Sequence, residues 1–210
     1  MTPFAEQALA ILRDPSQFKW YVIPLFALIV YVYANEIERR NWKLVFAGLA
    51  FWGMDWFNEI WNSLVFKFNG FAPVWGAPGN TAFLILIGLN IEICFMFAIA
   101  GITFSKMLPA DKNQKILGIP NRLFMAVTGS IFCVFVEVLL NAANALTWDY
   151  YWWSASVPWL IFLIGYLPFF LVAFWVHDLP TFKKQATVVG AILGFDVTCL
   201  IVFGAVLGWI

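Results

Sequence analysis

The sequence predicts an all-α integral membrane protein, a bundle of about six transmembrane helices with a short interfacial helix at the N-terminus. Three observations carry this expectation. Hydrophobic residues make up 63% of the 210 and charged residues 11%, with a mean hydropathy of +0.84; a soluble domain is nearer ~45–50% apolar and ~25% charged. Apolar runs of about 20 residues, the length that crosses a bilayer, recur along the chain. Short segments rich in charge, Gly and Pro separate them.

Taken in order, "FAEQALAILRD" reads as a short amphipathic helix with Phe4, Ala8, Ile11 and Leu12 on one face. Residues 1–19 carry Glu6, Arg13 and Asp14 and lack the long apolar stretch of a cleavable signal peptide. Six spans follow at about 20–35, 43–66, 81–105, 122–147, 157–176 and 186–209 in one domain of residues 1–210. The loops after spans 1, 3 and 5 hold Arg39, Arg40 and Lys43, then Lys106, Lys112, Lys115 and Arg122, then Lys183 and Lys184. The opposite loops hold only Lys67. The positive-inside rule makes the basic loops cytoplasmic and both termini extracytoplasmic or luminal. The aromatic run "WDYYWW" at 148–153 fits an outer interfacial belt.

Span 2 carries the first chemistry. Asp55, Glu59 and Asn62 follow i, i+4, i+7 and share a helix face. Rising 1.5 Å per residue, Asp55 lies about 18 Å and Glu59 about 24 Å from the cytoplasmic start. Span 4 repeats the spacing with Glu137, Asn141 and Asn144. Span 3 adds Asn90 and Glu92, and span 6 adds Asp196. A carboxylate at such depth costs about 2.5–3.5 kcal/mol on insertion scales, so these side chains are expected to turn inward. With no membrane-embedded Lys or Arg beside them, they must share protons, bind a cation or stay neutral. Asp149 and Asp178, at span ends, read as solvated.

Much is excluded. The formal net charge is zero, which offers nothing to nucleic acid. His177 is the only histidine and Cys94, Cys133 and Cys199 show no metal-ligand spacing, so no haem, zinc or di-iron site is expected. Gly-rich phosphate loops and a GxSxG elbow are missing. Acid/base chemistry without a cofactor remains. Aromatics form 20% of the chain, and aromatic faces attract cations. Asp55, Glu59, Glu92 and Glu137 are therefore the candidate catalytic acids. Trp52, Trp56, Asn62, Asn90, Asn141, Asn144, Trp148 and Trp159 are the candidate substrate-binding groups.

This arrangement resembles the emopamil-binding-protein group of small membrane proteins, the sterol isomerases and their relatives. In that group one helix carries two functional polar residues four apart, an aromatic loop follows, and the next helix supplies a glutamate. "DWFNE" places Asp55 and Glu59 in the first role and "LNIEICF" places Glu92 in the second; "YYWWSASVPWLIFLIGYLP" is similar in character to the last helix. The isomerases have a histidine where Asp55 stands, and of their last-helix Asn and Trp only Trp159 is near. The chain is also similar in size and acid placement to the small integral-membrane terpene cyclases of fungal meroterpenoid pathways. Both resemblances imply protonation of an apolar lipid.

Three functional readings follow. The first is a membrane enzyme isomerising or cyclising a lipid, sterol or isoprenoid. The second is a proton-coupled carrier or binding protein for an apolar or cationic small molecule. The third is a non-catalytic subunit whose acids meet a partner's basic residues. The expected partners are membrane lipid and a hydrophobic small molecule, with a homo-oligomer allowed.

Overall fold

A computed structural model describes residues 1–210. Seven helices follow in order: α1 Pro3–Ile11, α2 Val22–Glu38, α3 Trp42–Asn69, α4 Ile91–Lys106, α5 Asn121–Ala142, α6 Pro158–Asp178 and α7 Phe182–Val206. Of these, α5, α6 and α7 are long and apolar enough to cross a membrane. Their outer faces show large bare side chains, among them Ile131, Phe132 and Phe135 on α5 and Ile201 on α7. Such a surface belongs in lipid.

Central α3 packs against α4, α6 and α7, α2 lies on α4 and α3, and α5 lies on α6. Small residues set the closest approach. A Cβ on Gly101 of α4 would come 2.5 Å from the Phe51 Cβ and 2.9 Å from the Gly48 Cα of α3. That is the close backbone contact that small residues permit between membrane helices. Phe51, Phe97, Phe169, Phe170 and Phe174 fill the core beside it.

The helix ends are read from the chain. Thr2 caps α1, its hydroxyl accepting from the Ala5 N–H, and Pro3 takes the first turn. Gly70, at φ 63°, ends α3 in the left-handed conformation that glycine adopts without strain. Thr181 caps α7. Within α6, Pro168 has no N–H to give the Ile164 carbonyl, and the preceding Ile161–Tyr166 widens into a π-helical turn. A second π segment, Leu200–Val206, ends α7.

Several expected boundaries are corrected. Span 3 does not begin at 81. Residues 84–90 form a two-stranded hairpin, β1 Leu84–Leu86 against β2 Leu89–Asn90, and α4 starts only at Ile91. The apolar run is continuous there, so hydropathy alone did not separate hairpin from helix. Span 4 ends at Ala142 rather than 147, because Asn144 turns left-handed at φ 56°. A second hairpin, β3 Lys115–Ile116 against β4 Ile119–Pro120, closes the loop before α5.

The N-terminal helix is also corrected. Its buried face is Ala5 and Ala8, and Phe4 is 40% exposed. Ala8, Ile11 and Leu12 pack on Ala77, Leu84 and Ile87, so α1 lies on the loop after α3 and helps hold it. Asp149 is not free either. It accepts the Thr2 hydroxyl at 3.0 Å, and partial burial pushes its carboxyl above the usual range. Asp178 accepts two hydrogen bonds from the Arg122 guanidinium, both 2.9 Å. That pair ties the start of α5 to the end of α6.

The loops after α3 and α5 meet. Gly76 and Thr147 exchange backbone hydrogen bonds at 3.0 and 2.8 Å. These loops and both termini gather at one end: the Thr2 N–H donates to the Phe71 carbonyl and Trp209 stacks edge-on with Phe68. The basic connections gather at the other.

The glycine contact gives a stability prediction. Gly101→Leu overpacks the α3–α4 seam and lowers the melting temperature in detergent by roughly 2–12 °C. Gly190→Leu, on α7 where nothing lies within 4 Å, leaves it unchanged; equal melting of the two variants contradicts this packing.

Candidate functional site

Helix α3 supplies the first two acids from its inner face. Asp55 and Glu59 are both 3% exposed, and Asn62, one turn on, is fully buried. Glu137 of α5 is 5% exposed and Asp196 of α7 is 3% exposed. Asp55 lies within electrostatic reach of Glu59 and Asp196, and Glu59 within reach of Glu137. The order is a row: Asp196, Asp55, Glu59, Glu137. No Lys or Arg forms an ion pair with any of them. Asp55 Oδ2, Glu59 Oε2 and both Asp196 oxygens have no hydrogen-bond partner. Buried polar atoms are normally satisfied, and unsatisfied ones mark functional sites or sites that hold water.

The loop after α3 covers Glu59. Asn62 does the fastening: its Nδ2 donates to the Trp75 carbonyl at 2.8 Å and its Oδ1 accepts the Val74 N–H at 2.7 Å. Trp75 then reaches down and its indole N–H donates to Glu59 Oε1 at 2.8 Å. The β1–β2 turn presses on the same point. A Cβ on Gly88 would lie 2.7 Å from Glu59 Oε2 and 2.6 Å from Trp75 Nε1, so only glycine fits there. On the other side, Trp148 donates to Glu137 Oε1 at 3.0 Å. Asn58 Nδ2 stands 3.5 Å from the Ile164 and Gly165 carbonyls that the π turn of α6 exposes.

These groups surround a cavity of about 50 Å³ bounded by Asp55, Glu59, Glu137, Trp75, Trp153 and Tyr166. Trp75 and Trp153 stack at 5.3 Å, and Phe97 stacks on Tyr166 at 6.3 Å. An apolar cleft of about 100 Å³ adjoins it and shares Met96, Phe97, Glu137, Leu140 and Tyr166. The cleft runs between α4 and α5, which pack together only loosely, with Phe104 and Phe132 6.2 Å apart across it. No group of three His, Cys, Asp or Glu side chains is placed to hold a metal ion.

Several expected site residues lie elsewhere. Glu92 does not reach the acid row. In the first turn of α4, it accepts from the Thr81 hydroxyl at 2.5 Å, the Ala82 N–H at 2.8 Å and the Tyr21 hydroxyl, and so staples a loop. Asn90 is the N-cap of α4, accepting from the Ile93 N–H at 2.8 Å. Asn141 donates to the Leu146 carbonyl and shapes the turn after α5. Asn144 is exposed beyond the helix end and shares no face with Glu137. Asn62 is spent on its loop. Trp52 donates to Cys94 Sγ at 3.3 Å and meets Trp56 edge-on at 6.0 Å, both beside the α3–α4 seam and outside the cavity. Trp159 is 58% exposed. Sequence reading missed Trp75, Trp153 and Tyr166 as lining residues, because loop and π-helix geometry place them. It gave Asp196 no role; the structure places Asp196 beside Gly53 of α3, a proximity no sequence spacing signals.

The chain matches the sequence profile of an uncharacterized membrane protein family over residues 2–205. It belongs to that family. An uncharacterized protein of Archaeoglobus fulgidus is 61% identical over 209 residues, covering 100% of this chain and 99% of the relative. A shorter uncharacterized protein of the same organism is 59% identical over 54 residues, 26% of this chain and 96% of its own length. No solved structure matches the chain. Membership in this membrane family, together with the three apolar helices, places the chain in a membrane.

Asn62 yields the test of this geometry. Asn62→Ala strands the buried Val74 N–H and Trp75 carbonyl, at about 1–3 kcal/mol each. Amide exchange across residues 71–79 is expected to accelerate at least tenfold, with no change for Trp159→Leu. Equal protection in Asn62→Ala and wild type contradicts the assigned pin.

Proposed function

We propose that the protein is a membrane enzyme that isomerises or cyclises an apolar, isoprenoid-type lipid by protonating a carbon–carbon double bond or an epoxide. One observation carries the reading: three carboxyl groups, Asp55, Glu59 and Glu137, line one cavity inside the bundle, with Asp196 near Asp55 and no cation to pair any of them, under aromatic faces and beside an apolar cleft between α4 and α5. In this reading the chain crosses the bilayer six times, through α2 to α7, with the basic connections cytoplasmic and both termini on the far side.

Glu59, at the centre of the row, is the proton donor. Its O–H bond breaks as a C–H bond forms with the π electrons of the substrate, leaving a cation on the neighbouring carbon. The faces of Trp75, Trp153 and Tyr166 and the carboxyl of Glu137 stabilise that cation. Loss of a proton from an adjacent carbon to a carboxylate gives the shifted alkene; attack by a second double bond gives a ring before that loss. The proton taken up returns to Glu59 along Asp55, so the acids end as they began and no oxidant or cofactor is consumed.

Volume narrows the substrate. About 50 Å³ holds one or two waters, far below the ~300–1,000 Å³ that encloses a whole small molecule. Only the reacting carbons of a substrate would sit among the acids, with the rest of the molecule in the adjoining apolar cleft. Glu92, held by the loop before α4, takes no part. The carrier reading is less well supported. The row is covered by Trp75 and Gly88 at the loop end and by the phenylalanine core toward the basic end, and α3 and α4 show no broken mid-helix segment. The subunit reading needs acids that face outward, and all four face inward.

The test is lipid extraction of purified wild type, Glu59→Gln, Glu137→Gln and Glu92→Gln, read by mass spectrometry. The expected result is an isoprenoid lipid that accumulates in the first two variants, with its isomer in wild type and in Glu92→Gln. Matching extracts from all four contradict the enzyme reading.

A further inference from the structure

At the basic end, away from the acids, lies a second cavity of about 540 Å³, within the ~300–1,000 Å³ range of small-molecule sites. It opens between the starts of α3, α5 and α7 and the ends of α4 and α6, and Arg40, Lys43, Lys106, Arg122 and His177 line it. No Asp or Glu does. Two of these cations are already neutralised: Lys106 pairs with Glu36 and Arg122 with Asp178. Arg40 and Lys43 have no carboxylate. The first turn of α3 has no side-chain cap, and Trp42 and Lys43, whose N–H groups have no acceptor within the helix, line the same cavity. Positive-inside charge alone explains surface cations. It does not explain Ser105, which lines the same cavity, is 2% exposed, and has a hydroxyl with no hydrogen-bond partner.

We infer that this cavity is a binding site for a phosphate ester. Arg40 and Lys43 supply the charge, Ser105 Oγ and the open N–H groups of Trp42 and Lys43 supply directed donors, and the Lys106–Glu36 and Arg122–Asp178 pairs bound the space without adding net charge. Helix N-termini and guanidinium groups are recurrent phosphate partners. The remaining volume takes whatever the phosphate is attached to, and the source is a lipid headgroup or a small soluble phosphate ester. This inference stands apart from the acid row, and its failure leaves that reading untouched.

The experiment is native mass spectrometry of the purified protein with three probes: short-chain phosphatidic acid, the diacylglycerol with the same chains, and inorganic phosphate. Phosphatidic acid is expected to bind one to one and diacylglycerol not at all. Replacing Arg40 and Lys43 together by Gln weakens binding about tenfold or more, and Ser105→Ala about threefold, with the charge intact. Lys183→Gln with Lys184→Gln, exposed at the same end but outside the cavity, leaves binding unchanged. Competition by inorganic phosphate at similar concentration assigns the site to a soluble ester; lipid binding without such competition assigns it to a headgroup. The inference is overturned if the Lys183/Lys184 pair weakens binding as much as the Arg40/Lys43 pair, if neither pair does, or if diacylglycerol binds equally. Ser105→Ala keeps the test open should the double variant fail to fold.

Discussion

A carboxyl group buried in an apolar bundle has to find something better than hydrocarbon to face, and this chain buries four with no cation beside them and only two indole N–H groups, those of Trp75 and Trp148, donating to them. No Lys or Arg reaches Asp55, Glu59, Glu137 or Asp196. The bundle is therefore built inward around them. Helix α3 occupies the centre because it carries two of the four, and α5 and α7 each turn one acid toward it. Even then several oxygens go without partners, a cost that a purely structural core would avoid with apolar side chains.

The same constraint explains the loops. An acid site at the end of a helical bundle must be shielded from bulk water, and the chain shields it with irregular backbone. Irregular backbone needs its own hydrogen bonds. Asn62, Glu92 and Asn141 hydrogen-bond loop backbone, and Asn90 caps the start of α4. The polar residues of the bundle thus divide into two groups. One set holds backbone; the other set keeps carboxyl oxygens without partners, and the proposed chemistry rests on that second set. Pro168 is the counterpart on α6, exposing carbonyls that Asn58 approaches.

Much of this was legible in the sequence. Run length and composition gave the helical membrane class, the i, i+4 spacing put Asp55 and Glu59 on one face, and insertion cost turned them and Glu137 inward, as the structure has them. What was not legible has specific causes. The apolar run "AFLILIGLN" has the hydropathy of a span but folds back as a hairpin, because Gly88 must lie flat on Glu59. The i+7 relation of Glu137 to Asn144 presumed a helix that ends at Ala142. Glu92 looked equivalent to Glu59 by residue type, yet its place in a first helical turn makes it a natural acceptor for loop N–H groups. An N-cap reading of Asn90 would have given that away. Trp75 and Trp153 reach the site through contacts between distant loops, which no local spacing encodes.

The central claim is that the acid row passes a proton to carbon. Deuterium labelling tests it most directly: wild type and Glu59→Gln, reconstituted in bilayers made from host membrane lipid extract, are incubated in heavy water and the lipids analysed for carbon-bound deuterium. The account predicts deuterium on one isoprenoid species with the wild type and none with Glu59→Gln. Carbon-bound label in neither sample, or equally in both, contradicts it.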